Sequence, residues 1–121
     1  MSKCLVVDDV EVTRFTSEQI LVSLGMEVKS VAAGDEAIAQ LNSTGYDVVL
    51  LDWHLRKASG IDVLKHIKAT HGNRVKVVMF SGVEGEDKKN EAIAAGADGF
   101  LEKPTTKAKL QEYFKGLGLL Q

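Results

Sequence analysis

Short apolar runs alternate with helically spaced apolar positions from one end of the chain to the other. Cys4 to Val7 is a continuous apolar run of the kind a doubly buried strand shows. Val10 to Leu24 switches to helical spacing, with Phe15, Ile20, Leu21 and Leu24 forming much of one stripe and Gly25 as a stop. Glu27 to Val31 alternates like an edge strand. Gly34-Asp35-Glu36 opens a second helix, with Ala37, Ile38 and Leu41 inward, and Asp47 to Leu51 reads as a third strand. Ile61 to His71 is a third helix whose period is set by Ile61, Leu64, Ile67 and Lys68. Asp62 in its first turn and Lys68 and His71 in its last suit the helix dipole. Val75 to Phe80 is a fourth strand, and Glu86 to Ala95 a helix polar on one side and ended by Gly96. Gly99 to Leu101 is a short fifth strand. Thr106 is a good N-cap for a last helix through Leu110, Tyr113 and Phe114, after which Gly116 to Gln121 reads as a frayed end.

Strands and helices in strict alternation predict an α/β fold: a parallel sheet covered on both faces, with right-handed crossovers. The 121 residues suit one domain, spanning 1–121. A hydrophobic fraction of 45% beside 26% charge is ordinary for a globular chain and argues against disorder. The net charge of −2, with no basic stripe, gives no sign of direct nucleic-acid binding. The one cysteine, Cys4, has no intramolecular partner and sits where a buried strand should start, which fits a core residue in a reducing compartment. No signal-peptide pattern is visible, and no apolar stretch approaches the roughly 18 residues of a membrane span. These features predict a cytoplasmic protein with no membrane partner.

The chemistry lies at the ends of the apolar runs. The first strand stops at Asp8-Asp9, the third at Asp52, the fourth at Ser81 and the fifth at Glu102-Lys103-Pro104. In open parallel sheets, sites form outside the carboxyl ends of the strands. Alone, each residue is ordinary: Asp8-Asp9 ahead of a helix is a cap and dipole pair, and Asp52 a turn residue. Together they bring carboxylates, a hydroxyl and an ammonium to one edge. Adjacent carboxylates repel and raise at least one pKa unless a cation intervenes, and hard cations such as Mg²⁺ take carboxylate and carbonyl oxygens. Asp52 could then act as a nucleophile toward a phosphoryl group, with Ser81 and Lys103 meeting its oxygens.

This pattern resembles the receiver domain of bacterial two-component response regulators, the CheY-like family. The resemblance rests on Val7-Asp8-Asp9 with Arg14, Asp47-Val48-Val49-Leu50-Leu51-Asp52, Gly60, Ser81-Gly82, and Ala95-Gly96-Ala97-Asp98-Gly99-Phe100-Leu101-Glu102-Lys103-Pro104, and it covers essentially the whole chain. It implies a flavodoxin-like, doubly wound five-stranded parallel sheet in order 2-1-3-4-5 with five helices. It implies phosphorylation of Asp52 by a histidine kinase or histidine phosphotransfer protein, and a Mg²⁺ cofactor held by Asp8, Asp9, Asp52 and the backbone carbonyl of His54. Ser81 and Lys103 would contact the phosphoryl group, and Pro104 would follow a cis peptide bond. A phosphate-driven shift of Ser81 and Phe100 would reshape the face made by the fourth helix, fifth strand and fifth helix for a downstream protein target. Beyond its own phosphoryl transfer and loss, no enzymatic activity is implied.

Several positions depart from the common pattern. Leu55 and Arg56 stand where many members carry Met-Pro. His54 and Val83 occupy the two variable positions thought to tune dephosphorylation, and Val83 cannot orient a water, which predicts slow phosphate loss. Phe100 stands where many relatives have Tyr. Trp53, directly after Asp52, is expected to shield one side of the pocket. Lys88-Lys89 and Lys107-Lys109, like His66 and His71, read as solvated surface. The rival readings are weaker. A haloacid-dehalogenase-type phosphatase wants a second Asp at position 54, a flavin carrier a Ser/Thr/Gly-rich loop at 8–9, and a phosphorylation-independent pseudo-receiver would not need the full acidic set. Met1 and the short tail favour a stand-alone protein. The first helix and nearby loops, Arg14 among them, are where a kinase is selected in the family.

Overall fold

The computed structural model describes residues 2–82 and 86–120. Within them strands and helices alternate as β1 (Lys3–Val7), α1 (Glu11–Ser23), β2 (Glu27–Val31), α2 (Gly34–Ser43), β3 (Val48–Asp52), α3 (Gly60–His71), β4 (Lys76–Ser81), α4 (Glu86–Ala94), β5 (Gly99–Glu102) and α5 (Lys107–Gly116). A single 3₁₀ turn over Gly72–Arg74 links α3 to β4. The strands form one sheet in order β2-β1-β3-β4-β5, every pair parallel. This is the doubly wound flavodoxin-like arrangement expected from the resemblance. Its order reverses around β1 and β3, so the polar ends of those two strands border the crevice where such folds bind ligands.

The period of two along each strand divides the core. Leu5, Val7, Val49, Leu51, Val77 and Met79 face α2, α3 and α4 and pack with Ala37, Leu41, Leu64, Ile67 and Ala92. Cys4, Val6, Val48, Leu50, Val78 and Phe80 face α1 and α5 and pack with Leu21, Leu110 and Phe114. Continuing each alternation past the strand predicts which face the polar ends serve: Asp8 and Asp52 follow the α1/α5 face, and Trp53 and Ser81 the other.

The structure corrects three expectations and extends a fourth. Phe15 does not face the core: it is 61% exposed, as are Val12 at 75% and Val22 at 50%. The buried line of α1 runs instead through Ser17 and Leu21, flanked by Ile20 and Leu24, and Phe15, two residues before Ser17, points the other way round the helix. The segment after α5 is not frayed. Leu117, Leu119 and Leu120 pack on the α1/α5 core, Leu119 N–H donates to Phe114 O at 3.0 Å, and the Ser2 hydroxyl donates to Leu119 O at 2.8 Å. β3 and β4 each run one residue further than expected, so Asp52 and Ser81 lie inside the strands rather than after them. Lys68, in the last turn of α3 as expected, is mostly buried and does more there than meet the helix dipole. Its ammonium donates to Val75 O at 2.8 Å and pairs with Asp98 at 2.6 Å, and the same Asp98 oxygen accepts Val77 N–H, tying α3 to the start of β4.

Candidate functional site

Each acidic residue is held by its local turn. Asp8 N–H continues the ladder to Val31 O at 3.2 Å. Val10, the N-cap of α1, has no side-chain cap of its own; Asp8 Oδ1 accepts Val10 N–H at 2.9 Å instead. The Arg14 guanidinium donates to Asp8 O at 2.8 Å and fixes the turn from below. Asp52 ends β3, and Trp53 N–H donates to Phe80 O at 3.0 Å, extending the pairing with β4. The following loop is closed by a bridge between His54 and Ser59 and by Gly60 N–H donating to Trp53 O at 2.7 Å. Gly60 is needed for that approach, because a Cβ there would overlap the Asp52 carbonyl oxygen and lie 2.9 Å from Trp53 Cα. At the other side, Lys103 N–H donates to Ser81 O at 2.8 Å, and the Lys103–Pro104 peptide is cis.

These turns bring Asp8, Asp9 and Asp52 together, with one carboxylate oxygen from each within 4.8 Å of the others. Asp8 and Asp52 are buried and Asp9 half-buried. The Lys103 ammonium stands between the two buried carboxylates, 3.1 Å from Asp8 Oδ2 and 3.3 Å from Asp52 Oδ1, and 5.0 Å from the centre of the Phe80 ring. The backbone N–H of His54 reaches Asp52 Oδ1 at 3.4 Å. Burial pushes the Asp52 carboxyl above the ordinary aspartate range. Lys103 opposes that rise, the Asp8 charge adds to it, and the His54 N–H opposes it. Lys103 therefore offsets only part of the rise at Asp52. Three carboxylates at this spacing could hold a hard divalent cation.

Ser81 is fully buried at the end of β4, one residue beyond Phe80, the Cα partner of Asp52 in the ladder. Phe100 is half-buried on β5, its ring edge-on to Trp53 at 6.3 Å. Trp53 is buried in the α2/α3/α4 core, and the Lys88 ammonium caps it at 4.3 Å from the ring centre, so Lys88 is not simply a solvated charge. Val83 lies outside the described residues. His66 is exposed on α3 and His71 half-buried at its end. Two contacts escaped the sequence reading: Lys88 on Trp53, and an ion pair of Arg56 Nε with Asp9 Oδ2 at 3.4 Å. Neither has a one-dimensional signal, because both cross between elements that the pattern treats separately.

A five-stranded parallel sheet in order β2-β1-β3-β4-β5, with an acidic cluster and a lysine at its carboxyl edge, defines the CheY-like flavodoxin fold class. The comparisons narrow it. The family model for the response regulator receiver domain matches residues 4–115, and the chain belongs to that family. It is 32% identical over 108 residues, 89% of its length, to the cell cycle transcriptional regulator CtrA of Caulobacter vibrioides. It is 29% identical over 102 residues, 84% of its length, to a gliding motility regulatory protein of Myxococcus xanthus. The chain spans only 46% and 13% of those two proteins. Among solved structures it resembles the chemotaxis protein CheY4 of Vibrio cholerae, with a TM-score of 0.90 at 28% identity over 96% of this chain and 98% of that one. It also resembles a CheY-like receiver domain from Methanospirillum hungatei, with a TM-score of 0.89 at 26% identity over 97% and 93% of the two chains. The family is one of two-component signalling domains rather than classical enzymes. Among the described residues no helix is long and apolar enough to cross a membrane.

Proposed function

We propose that this chain is a single receiver domain that takes a phosphoryl group onto Asp52 from a histidine kinase or histidine phosphotransfer protein and signals to a downstream protein. The observation that carries this reading is the convergence of Asp8, Asp9 and Asp52 within 4.8 Å beside the Lys103 ammonium. Asp8, Asp9, Asp52 and the His54 carbonyl would hold Mg²⁺. The ion would supply charge neutralisation on the transferring phosphoryl oxygens. A carboxylate oxygen of Asp52 attacks phosphorus while the bond to the donor imidazole nitrogen breaks; that nitrogen keeps the electron pair and the ring's other nitrogen is already protonated, so an acyl phosphate and a neutral imidazole result. Lys103, already 3.3 Å from Asp52, pairs with one oxygen of the new group, and the Ser81 hydroxyl donates to another.

The readout would run through Ser81 and Phe100. A phosphoryl group makes better contacts when Ser81 moves toward it, which favours a different seat for Phe100 and a different α4-β5-α5 face. The reading carries with it a cytoplasmic location and a protein target rather than nucleic acid. Incubation with acetyl phosphate and Mg²⁺, followed by intact-mass analysis, tests it. The expected result is one added phosphoryl mass, abolished in Asp52→Asn and by chelation of the metal. An unmodified wild type would favour a pseudo-receiver that binds partners without phosphorylation and would overturn the proposal.

A further inference from the structure

Arg56 stands in the loop between β3 and α3, two residues beyond His54. The bridge from His54 to Ser59 and the bond from Gly60 N–H to Trp53 O hold that loop compact, which brings the Arg56 guanidinium onto Asp9. Of the three clustered carboxylates, Asp8 and Asp52 already face Lys103; Asp9 instead faces Arg56, 3.4 Å from its Nε. The three-carboxylate edge is thus met by two cations of different character. Lys103 is mostly buried and anchored between two partners. Arg56 is 81% exposed and, among the described residues, pairs with Asp9 alone, so it can leave at small cost.

We propose that Arg56 is a tethered cation that competes with the divalent ion for Asp9, setting how much Mg²⁺ the site needs before it fills. The inference rests on the magnesium reading above and adds to it a residue, Arg56, at a position where many family members carry proline. Ion entry requires the Asp9 carboxylate, and a guanidinium held there repels the ion and blocks one carboxylate oxygen. By linkage, whatever factor Arg56 takes from metal affinity, the metal takes from the Arg56–Asp9 pair.

Binding of Mn²⁺ as a paramagnetic stand-in, read as the free-ion resonance signal and reversed with Mg²⁺, measures this without any phosphoryl donor. Arg56→Ala is expected to tighten binding about two- to fivefold at low salt, the scale of one exposed ion pair. Arg56→Lys, which keeps the charge, should stay closer to the wild type. Lys57→Ala removes a neighbouring exposed charge and should shift affinity by clearly less than Arg56→Ala. The proposal is overturned if Arg56→Ala binds like the wild type, or if Lys57→Ala matches it, since the effect would then be bulk charge. A wild type that binds no Mn²⁺ would fell the magnesium reading itself, a different and separately visible failure.

Discussion

The Lys103 ammonium lies 3.3 Å from Asp52 and also 3.1 Å from Asp8, so one cation serves two buried carboxylates. Lys103→Met would leave both facing each other with only part of their charge met. The expected loss is about 1–2 kcal/mol at neutral pH, a fall in Tm of roughly 4–8 °C. Millimolar Mg²⁺ should recover part of it by replacing the missing charge. Thermal melts with and without the metal check this, and a variant as stable as the wild type without Mg²⁺ would mean the pair contributes nothing net.

Asp52 has its pKa raised in the folded state, chiefly by burial, above the 3.8 of an ordinary aspartate. Protonation is therefore favoured by folding. The stabilising contribution of that raised pKa is complete below the unfolded value and is lost as pH rises through the folded one, so at neutral pH the ionised carboxylate costs stability. Asp52→Asn removes that cost. Its Tm should exceed the wild type by roughly 3–6 °C at pH 7 without divalent ions, and the gap should close as pH falls toward 4. A gap that widens on acidification has the wrong sign and would refute the assignment. Added Mg²⁺ should also narrow the gap from the other side, by stabilising the wild type more than the variant.

Gly60 sits where a Cβ would meet the Asp52 carbonyl oxygen and Trp53 Cα, both backbone atoms that cannot swing away. Gly60→Ala must therefore push the loop off β3. The expected cost is about 2–4 kcal/mol, with metal binding weakened in the same variant because the His54 carbonyl moves with the loop. Gly45→Ala is the control, since nothing lies within 4 Å of a Cβ built there. Equal Tm values for the two variants would show that the close approach is not real.

Much of this was legible from residue order alone. Cys4–Val7 and Val48–Leu51 are apolar on both parities because both sheet faces are covered, and the positions where they stop are positions where side chains leave the core. The acidic cluster follows from that and from parallel pairing. What the order could not show is which way a helix rolls. Phe15 fits a plausible stripe, yet α1 packs through Ser17 and Leu21, and a lone serine on the buried line gives no apolar signal to reveal it. The tail hides its packing for a similar reason: Leu117, Leu119 and Leu120 stand among Gly116, Gly118 and Gln121 with no periodicity, and the tertiary groove beside Leu24 and Phe114 gives them something to cover. Arg56 on Asp9 and Lys88 on Trp53 depend on loop closure and helix placement, which no spacing encodes.

Tyr113 on α5 reaches β5, the edge strand next to β4, where its hydroxyl oxygen accepts the Phe100 N–H at 2.9 Å. Edge strands leave one row of N–H groups without a ladder partner, and here a side chain from the covering helix supplies one. The ring can lie so close only because residue 99 is glycine: a Cβ there would overlap the Tyr113 hydroxyl and come within 2.8 Å of the ring. The two residues therefore act as a unit. Tyr113→Phe should cost about 1 kcal/mol and speed exchange of the Phe100 amide about fivefold, with little effect on amides in β1. Gly99→Ala should cost more, because the ring must yield and Phe100 loses its acceptor as well. On a Tyr113→Ala background the Gly99→Ala change should be much milder, an interaction of about 1 kcal/mol or more in the double-mutant cycle. Strict additivity would mean that the hydroxyl and the glycine are independent, and that α5 is not anchored to the residue proposed to carry the switch.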